Sequence, residues 1–448
     1  MTSQELTILL KKEMVPALGC TGPTAYALAT ASCRPFLTAE PIEIKIYVSP
    51  AFLKIGFGVA TPGTTQPGIE IAAAIGLIGG DYKLGLQVLK PCTAEDIKSA
   101  QKLLERGLIQ VLCAWDKGGV YVRAEVTTKN EKVIAVVEHT HDGISLIEVN
   151  GEKKLEVFSV EQKMRKDNSD GLRLDDLFAY VNTVDTEELR FLLDGYRLNL
   201  ALAEDGLKQG FGLKSGRAFL SEWWQGREQP SDLFERPMDY LPDTIHERSR
   251  VLVAAASDAR MGGSRYPAMA AMGDGNQGLT AIIPVGVAAE LLGKNDEQTI
   301  RALALSCLML FYIKMHIGRA AAFCLCAIAA SAGVAAGISY LNGMSEKQIC
   351  AAVKNVISSL CGMLCDGAKN ACALKMAIAT TTALSCAELA AMDVECSFYD
   401  GVADDTLEHT VACITDIATA SMDMLDRCMV DEILKKVERK RMEAIQNN

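Results

Sequence analysis

The chain has little of several things. It has no Cys-x-x-Cys pair, only five histidines, and aromatic residues amount to 6%. The missing pair removes the usual zinc-ribbon and thioredoxin signatures, and so few imidazoles exclude a histidine-rich metal site. Positive charge is also short, with 45 Lys and Arg against 56 Asp and Glu, a net charge of −11. A nucleic acid or an anionic membrane surface would call for the opposite balance. The start, MTSQELTILLKKEM, has no long apolar core of a secretion signal, so a reduced, cytoplasmic protein is expected.

What is abundant is apolar but not aromatic. Hydrophobic residues make up 49% of the 448, which favours packed helices, and 15 are cysteines. Four of these (Cys20, Cys33, Cys92, Cys113) precede residue 307 and eleven follow from Cys307 to Cys428. Residues 320–345 carry no formal charge over a length that could cross a bilayer. Their Ala, Gly, Ser and Cys content, with no aromatic belt or basic flank, reads instead as a helix buried in a large helical domain.

The periodicity divides the chain. Residues 4–33 read as two helices with a break from Pro16 to Pro23. From Ile42 the period becomes two in IEIKIYV, GVYVRAEVTT, KVIAVVEHT, ISLIEV and KLEVFSV, predicting half-buried antiparallel strands. Among them Thr93 to Asp96 forms a capping box ahead of a helix that Gly107 closes. Beyond about residue 165 helical periodicity takes over. The fold class expected is α+β: N-terminal helices over 1–39 packing on the catalytic domain, a smaller mixed α/β domain over 40–165, and an all-α catalytic domain over 166–448.

Three places carry candidate chemistry. GDGNQG at Gly273 to Gly278 matches the dinucleotide fingerprint G-x-G-x-x-G, but SRYPAMAAM before it does not read as the strand of a βαβ unit. A tight loop facing a small anion fits better, with Asn276 and Gln277 as donors. SDARMGGS upstream has the same loop character and adds Arg260, whose fork suits a carboxylate. GFGLKSG at Gly210 to Gly216 has the wrong spacing for a P-loop.

The second place is CGMLCDGAKNACALKM, Cys361 to Met376. On one straight helix Cys365 and Cys372 would stand about 10 Å apart along the axis. Gly367 and Asn370 instead predict a loop folded back on a helix starting near Ala371. A third thiolate could come from Cys324 or Cys326. Three thiolates with no fourth partner suit an iron-sulfur cluster with one open iron better than a closed zinc site, although core cysteines are nearly as good a reading. The third place is Cys20, in the Gly- and Pro-punctuated break at a helix start. A thiol there is acidified and could act as base or nucleophile, or else serve as a third ligand or pack in the loop.

The segments EMVPALGCTGPTAYALA, YVSPAFLKIGFGVATPGT, SDARMGG with GDGNQGLTA, and GMLCDGAKNACALKM resemble, in order and nearly end to end, the L-cysteine desulfidase family, which is related to the α chain of iron-sulfur L-serine dehydratase. The resemblance implies a β-elimination without pyridoxal phosphate, giving pyruvate, ammonia and hydrogen sulfide from L-cysteine. It implies a 4Fe-4S cluster held by Cys324, Cys365 and Cys372, with Cys20 as the base for the Cα proton and the open iron as Lewis acid. Arg260, Asn276 and Gln277 are expected on the substrate carboxylate, and Asp366 and Lys369 on the cluster loop beside the substrate. Where the family reads G-C-T-E-P, this chain has Gly22 in place of Glu. L-serine dehydration, and a non-enzymatic redox or amino-acid-binding protein, stand as the rival functions. The expected partner is a small amino acid, not a nucleic acid or membrane, and the long apolar helices point to self-association.

Overall fold

The computed structural model describes residues 1–19, 21–157, 171–318 and 321–446. Helix α1 (Ser3–Glu13), capped by a Thr2/Glu5 box, runs into strand β1 (Met14–Leu18), and α2 (Thr21–Cys33) follows. The stretch expected to be an open break is therefore strand from Pro16 to Leu18 and already helix from Thr21. MVPAL is too short and too uniformly apolar to show alternation, and a two-stranded ribbon can admit Pro16 without losing a sheet.

The mixed module contains β2 (Glu43–Val48), α3 (Pro50–Gly56), α4 (Ile69–Gly79), α5 (Ala94–Glu105), β3 (Ile109–Cys113), β4 (Tyr121–Thr127), β5 (Lys132–Glu138), β6 (Ile144–Val149) and β7 (Glu152–Glu156). The six strands order as β3-β2-β4-β5-β6-β7. All neighbours are antiparallel except β2 and β3, which run parallel through the α5 crossover. The alternating segments are thus strands as expected, while β3 carried no clear alternation; residues 158–160 of the last predicted strand lie outside the described residues.

Helix α2 does not lie on the helical domain, as expected for it. It buries Ala25 to Cys33 against α4 and the sheet, with Ile44, Val122 and Val133 in the same core. The reason is a close helix crossing: a Cβ on Gly76 would stand 2.3 Å from the Ala27 carbonyl oxygen, so only glycine lets the backbones meet. Helix α1 does join the helical core, through Leu6, Leu10 and Met14.

The helical part comprises α6 (Leu174–Thr183), α7 (Phe191–Gln209), α8 (Ser215–Trp223), α9 (Ile245–Met261), strand β8 (Pro267–Ala271), α10 (Gly275–Leu291), α11 (Asp296–Ile317), a π-turn at Cys326–Ala330 leading into α12 (Ser331–Leu341), α13 (Glu346–Leu360), α14 (Cys372–Ala391) and α15 (Leu407–Gln446). Helix α11 is long and apolar enough to cross a membrane, but 83% of its most apolar stretch is buried inside the protein, at the centre of the largest core. The charge-free segment behind it likewise forms the buried α12.

β8 pairs antiparallel with β1, from Met14 opposite Ala271 to Leu18 opposite Pro267. GDGNQG therefore does follow a buried strand and open a helix, contrary to expectation. That strand belongs to an antiparallel ribbon and not to a βαβ unit, so the nucleotide fingerprint still lacks its setting. SDARM, expected in a loop, forms the last turn of α9, and only Gly262 to Ser264 turn away.

Candidate active site

Two polypeptide arms bring the cysteines together. The Cys324 N–H donates to the Met363 carbonyl at 2.8 Å and the Cys365 N–H to the Ala322 carbonyl at 2.7 Å, a one-bridge antiparallel contact around Phe323 and Leu364. Cys372 is the first residue of α14, as the loop reading expected, and its thiol points back to the Gly367 carbonyl at 3.6 Å. Gly367 has φ +95°, and a Cβ there would sit 2.1 Å from the Lys54 carbonyl oxygen, so the end of α3 presses directly on this loop. Gly58 bridges Lys369 just beyond, and Val59, Met261, Ala368 and Cys372 share a small apolar cluster.

The thiols interact electrostatically. Burial pushes the Cys372 thiol up to about 12, and negative charge on Cys324 and Cys365 would push it the same way. Burial also raises Cys365, against the pull of Lys54. Cys324 alone is lowered, to about 7, first because Cys326 hydrogen-bonds to it. Among the described residues no three His, Cys, Asp or Glu side chains stand at the geometry of a single metal ion. Ligands of one tetrahedral ion crowd about a common centre at ~2.3 Å each. Thiols that sense one another without sharing one centre fit a multi-iron cluster better, where each thiolate binds its own iron. The ligand set named from the sequence has this chemistry, and Cys326 lies against it.

Asp366 is flanked by Lys369 and Lys375, both of which pair with it. Lys369 also donates to the Gly367 carbonyl at 3.3 Å and Lys375 to the Leu364 carbonyl at 2.7 Å. Burial raises Asp366, but the two ammonium groups outweigh it and its carboxyl lies below the ordinary value. These charges are spent on fastening the loop. Lys375, outside the residues singled out from sequence, completes the clamp.

The second half of the site is the turn after β8. Ala271 and Asp274 exchange backbone bonds of 3.0 Å, enclosing Met272 (φ +46°) and Gly273 (φ +81°), a two-residue hairpin with both central residues left-handed. Left-handed methionine is strained, and its neighbours hold it: the Met272 N–H donates to the Glu13 carbonyl at 2.9 Å, and buried Lys314 donates to the Met272 carbonyl at 3.1 Å. Asp274 then caps α10, accepting the Asn276 N–H at 2.9 Å and the Gln277 amide at 3.0 Å. Burial raises its pKa, but Arg260, Lys314 and His141 together outweigh that and keep it below the ordinary value.

Arg260 is only 2% exposed, with Nη1 3.9 Å from Asp274 and with Nε and Nη2 unpartnered. A Cβ on Gly275 would stand 2.3 Å from Nε, so that glycine makes room for the guanidinium. Asn276 Oδ1 and Gln277 Oε1 are also buried and unpartnered. Asp274 is close enough to Cys324 and Cys326 to raise both, and Asn276 contacts Met261, which packs on Cys372. Arg260, Asn276 and Gln277 thus adjoin the thiols. Cys20 lies outside the described residues, but its neighbour Gly19 abuts Pro62.

Sequence reasoning passed over His141 and Lys314. His141 reaches from the β5–β6 turn onto Gly273, whose added Cβ would lie 2.7 Å from Nδ1, and stacks on Phe52 at 5.6 Å. A lone Lys in LMLFYIKMHI was the available signal for Lys314; nothing local distinguished His141.

Beside the site, Asp258 accepts the Gly216 N–H at 3.0 Å while Oδ1 has no partner, and burial raises its pKa to about 6 from an ordinary 3.8. The folded protein then keeps a proton that the unfolded chain has released, so this group lowers stability as pH rises from 3.8 to about 6. Asp258→Asn is expected to flatten that part of the stability curve, measured by urea unfolding across pH 4 to 7.

Residues 83–431 match the serine dehydratase alpha chain family. The chain is 34% identical over 434 residues to a UPF0597 protein of Caldanaerobacter subterraneus subsp. tengcongensis, covering 96% of this chain and 98% of that one. It is 34% identical over 429 residues to a UPF0597 protein of Clostridioides difficile, covering 94% and 97%. A third UPF0597 protein, from Actinobacillus pleuropneumoniae serotype 3, is 34% identical over 437 residues, 97% of each chain. With matches of this length through both the cysteine arms and the Asp274 turn, the chain belongs to the serine dehydratase alpha chain family, together with the UPF0597 proteins.

Proposed function

We propose that the protein is a lyase that removes the β-substituent of L-cysteine without pyridoxal phosphate, releasing hydrogen sulfide and leaving pyruvate and ammonia. The observation that carries this reading is that Cys324, Cys365 and Cys372 lie near one another, beside buried residues whose charged and amide atoms lack partners. Those three thiolates would hold a 4Fe-4S cluster, which supplies Lewis acidity to the substrate when bound.

The chain's own residues perform the rest. Arg260 orients the substrate through its carboxylate, and the low exposure of its surroundings strengthens that pairing. A carboxylate so paired stabilises the charge that develops as the Cα proton leaves. Cys20, the residue before Thr21 in the sequence, takes that proton in this scheme. The lysine clamp on Asp366 keeps the loop bearing Cys365 and Cys372 in place. L-serine is the second reading, favoured by the family match itself.

Anaerobically purified protein is expected to contain iron and sulfide, to absorb in the visible, and to form pyruvate faster from L-cysteine than from L-serine. A folded, colourless, metal-free protein would overturn the reading, and preference for serine would move it to the second. Cys20→Ala is expected to lower kcat by about 10²–10⁴-fold with the cluster intact; an unchanged rate would exclude Cys20 as base.

A further inference from the structure

Asn276 and Gln277 were expected to donate hydrogen bonds to an anion. The structure spends their donors elsewhere. Gln277 Nε2 donates to Asp274 Oδ2 at 3.0 Å, and Asn276 Nδ2 to the Met261 sulfur at 3.7 Å. Each NH2 keeps a second hydrogen, but the atom that each amide leaves with no partner at all is its oxygen, and each residue is no more than 4% exposed. The nitrogens with no partner at all are instead Nε and Nη2 of Arg260.

The amide orientation has a physical cause. Turning Gln277 over would set its oxygen against the ionised Asp274 carboxylate, a contact of two acceptors. Turning Asn276 over would set oxygen against a sulfur that has no proton to give. Two buried acceptors therefore stand ready near a carboxylate, and two buried donors stand on a guanidinium across the same turn. Asp274 at the helix cap offsets the positive end of α10, which would otherwise repel a cation there. Buried polar atoms left this way each cost free energy, so their retention points to a ligand that pairs with them.

We propose that the Asn276 and Gln277 carbonyl oxygens receive the ammonium group of the substrate while Arg260 receives its carboxylate. The site thereby recognises an α-amino acid as a zwitterion, refusing hydroxy or unsubstituted acids of the same length. This rests on the amino-acid reading above and adds the residues that discriminate.

L-alanine and propanoate differ only in the ammonium group, and neither carries a leaving group. Calorimetric titration of the anaerobically purified protein is expected to show L-alanine binding about tenfold or more tighter than propanoate. In Asn276→Leu that ratio is expected to fall to within about twofold with propanoate affinity unchanged, since the lost bond is to a charged donor. Asn276→Asp, which keeps size and adds charge, is expected to widen the ratio and serves where the Leu variant does not fold. Arg260→Met weakens both ligands together. A wild-type ratio near one, or a ratio that neither Asn276 variant moves, overturns the assignment. If the wild-type protein binds neither L-alanine nor L-cysteine, the amino-acid reading itself falls, and the ammonium site with it.

Discussion

Cys372→Ala is expected to give a protein that folds but holds no iron and forms no pyruvate. The side chain is small, sits at the first turn of α14 and shares its apolar cluster with Val59, Met261 and Ala368, so loss of one sulfur leaves a cavity of about one atom. A truncation that small costs about 1 kcal/mol. Burial keeps this thiol protonated and uncharged in the metal-free protein, so its removal takes away no charge interaction. Loss of iron with an unfolding midpoint only slightly below that of the metal-free wild type is therefore the expected pair of results, read by iron analysis and circular dichroism. The same variant of Cys326 tests the ligand choice, because Cys326 lies hydrogen-bonded to Cys324. Retained iron in Cys326→Ala and lost iron in Cys324→Ala would support the assigned set; the reverse would replace Cys324 by Cys326.

The legibility of this fold followed the distance over which each element is determined. Strands β2, β4, β5 and β6 could be read from the period-two sequence pattern within their own residues, which in β2 is also the burial pattern, although β4 and β5 are buried along most of their length. The capping box at Thr93 and Asp96 and the left-handed Gly107 behind it are similarly local. β1 and β8 were missed because MVPAL and PAMAA are buried without alternation and gain their identity only from each other, across more than 250 residues of chain. That omission misplaced GDGNQG, whose turn makes sense only with a strand before it.

The site divides in the same way. The loop carrying Cys365 and the helix start at Cys372 were legible from Gly367 and Asn370. The choice between Cys324 and Cys326 was not, since it depends on backbone pairing between residues 322–324 and 363–365. The residue types of Arg260, Asn276 and Gln277 announced polar groups, but which of their atoms remain without a partner depends on Asp274 and Met261. Gly22 is tightly enclosed: a Cβ there would stand 2.4 Å from Ile55 Cγ2, so a larger residue needs the Ile55 side chain to shift.

Helix α3 also carries the second large expected effect. Lys54 is 2% exposed and its ammonium lies 2.6 Å from Asp426 of α15, a buried ion pair joining the mixed module to the last helix. The same residue supplies the carbonyl against which Gly367 packs, and its charge acts on Cys365. Removing one member of a buried pair strands the other, so Lys54→Met is expected to cost about 3–5 kcal/mol, and to loosen α15 from the cysteine loop. The double variant Lys54→Met with Asp426→Leu removes both charges and is expected to recover most of that loss, since an apolar replacement of a buried pair is often neutral. Urea unfolding of the metal-free single and double variants measures the coupling. Iron content then separates two roles for the pair. If it only fastens the modules, the double variant regains iron along with stability. If the Lys54 charge also helps hold an ionised Cys365, the double variant folds as well as the wild type yet binds iron more weakly, and that divergence is expected because the Lys54 ammonium favours the ionised form of the Cys365 thiol.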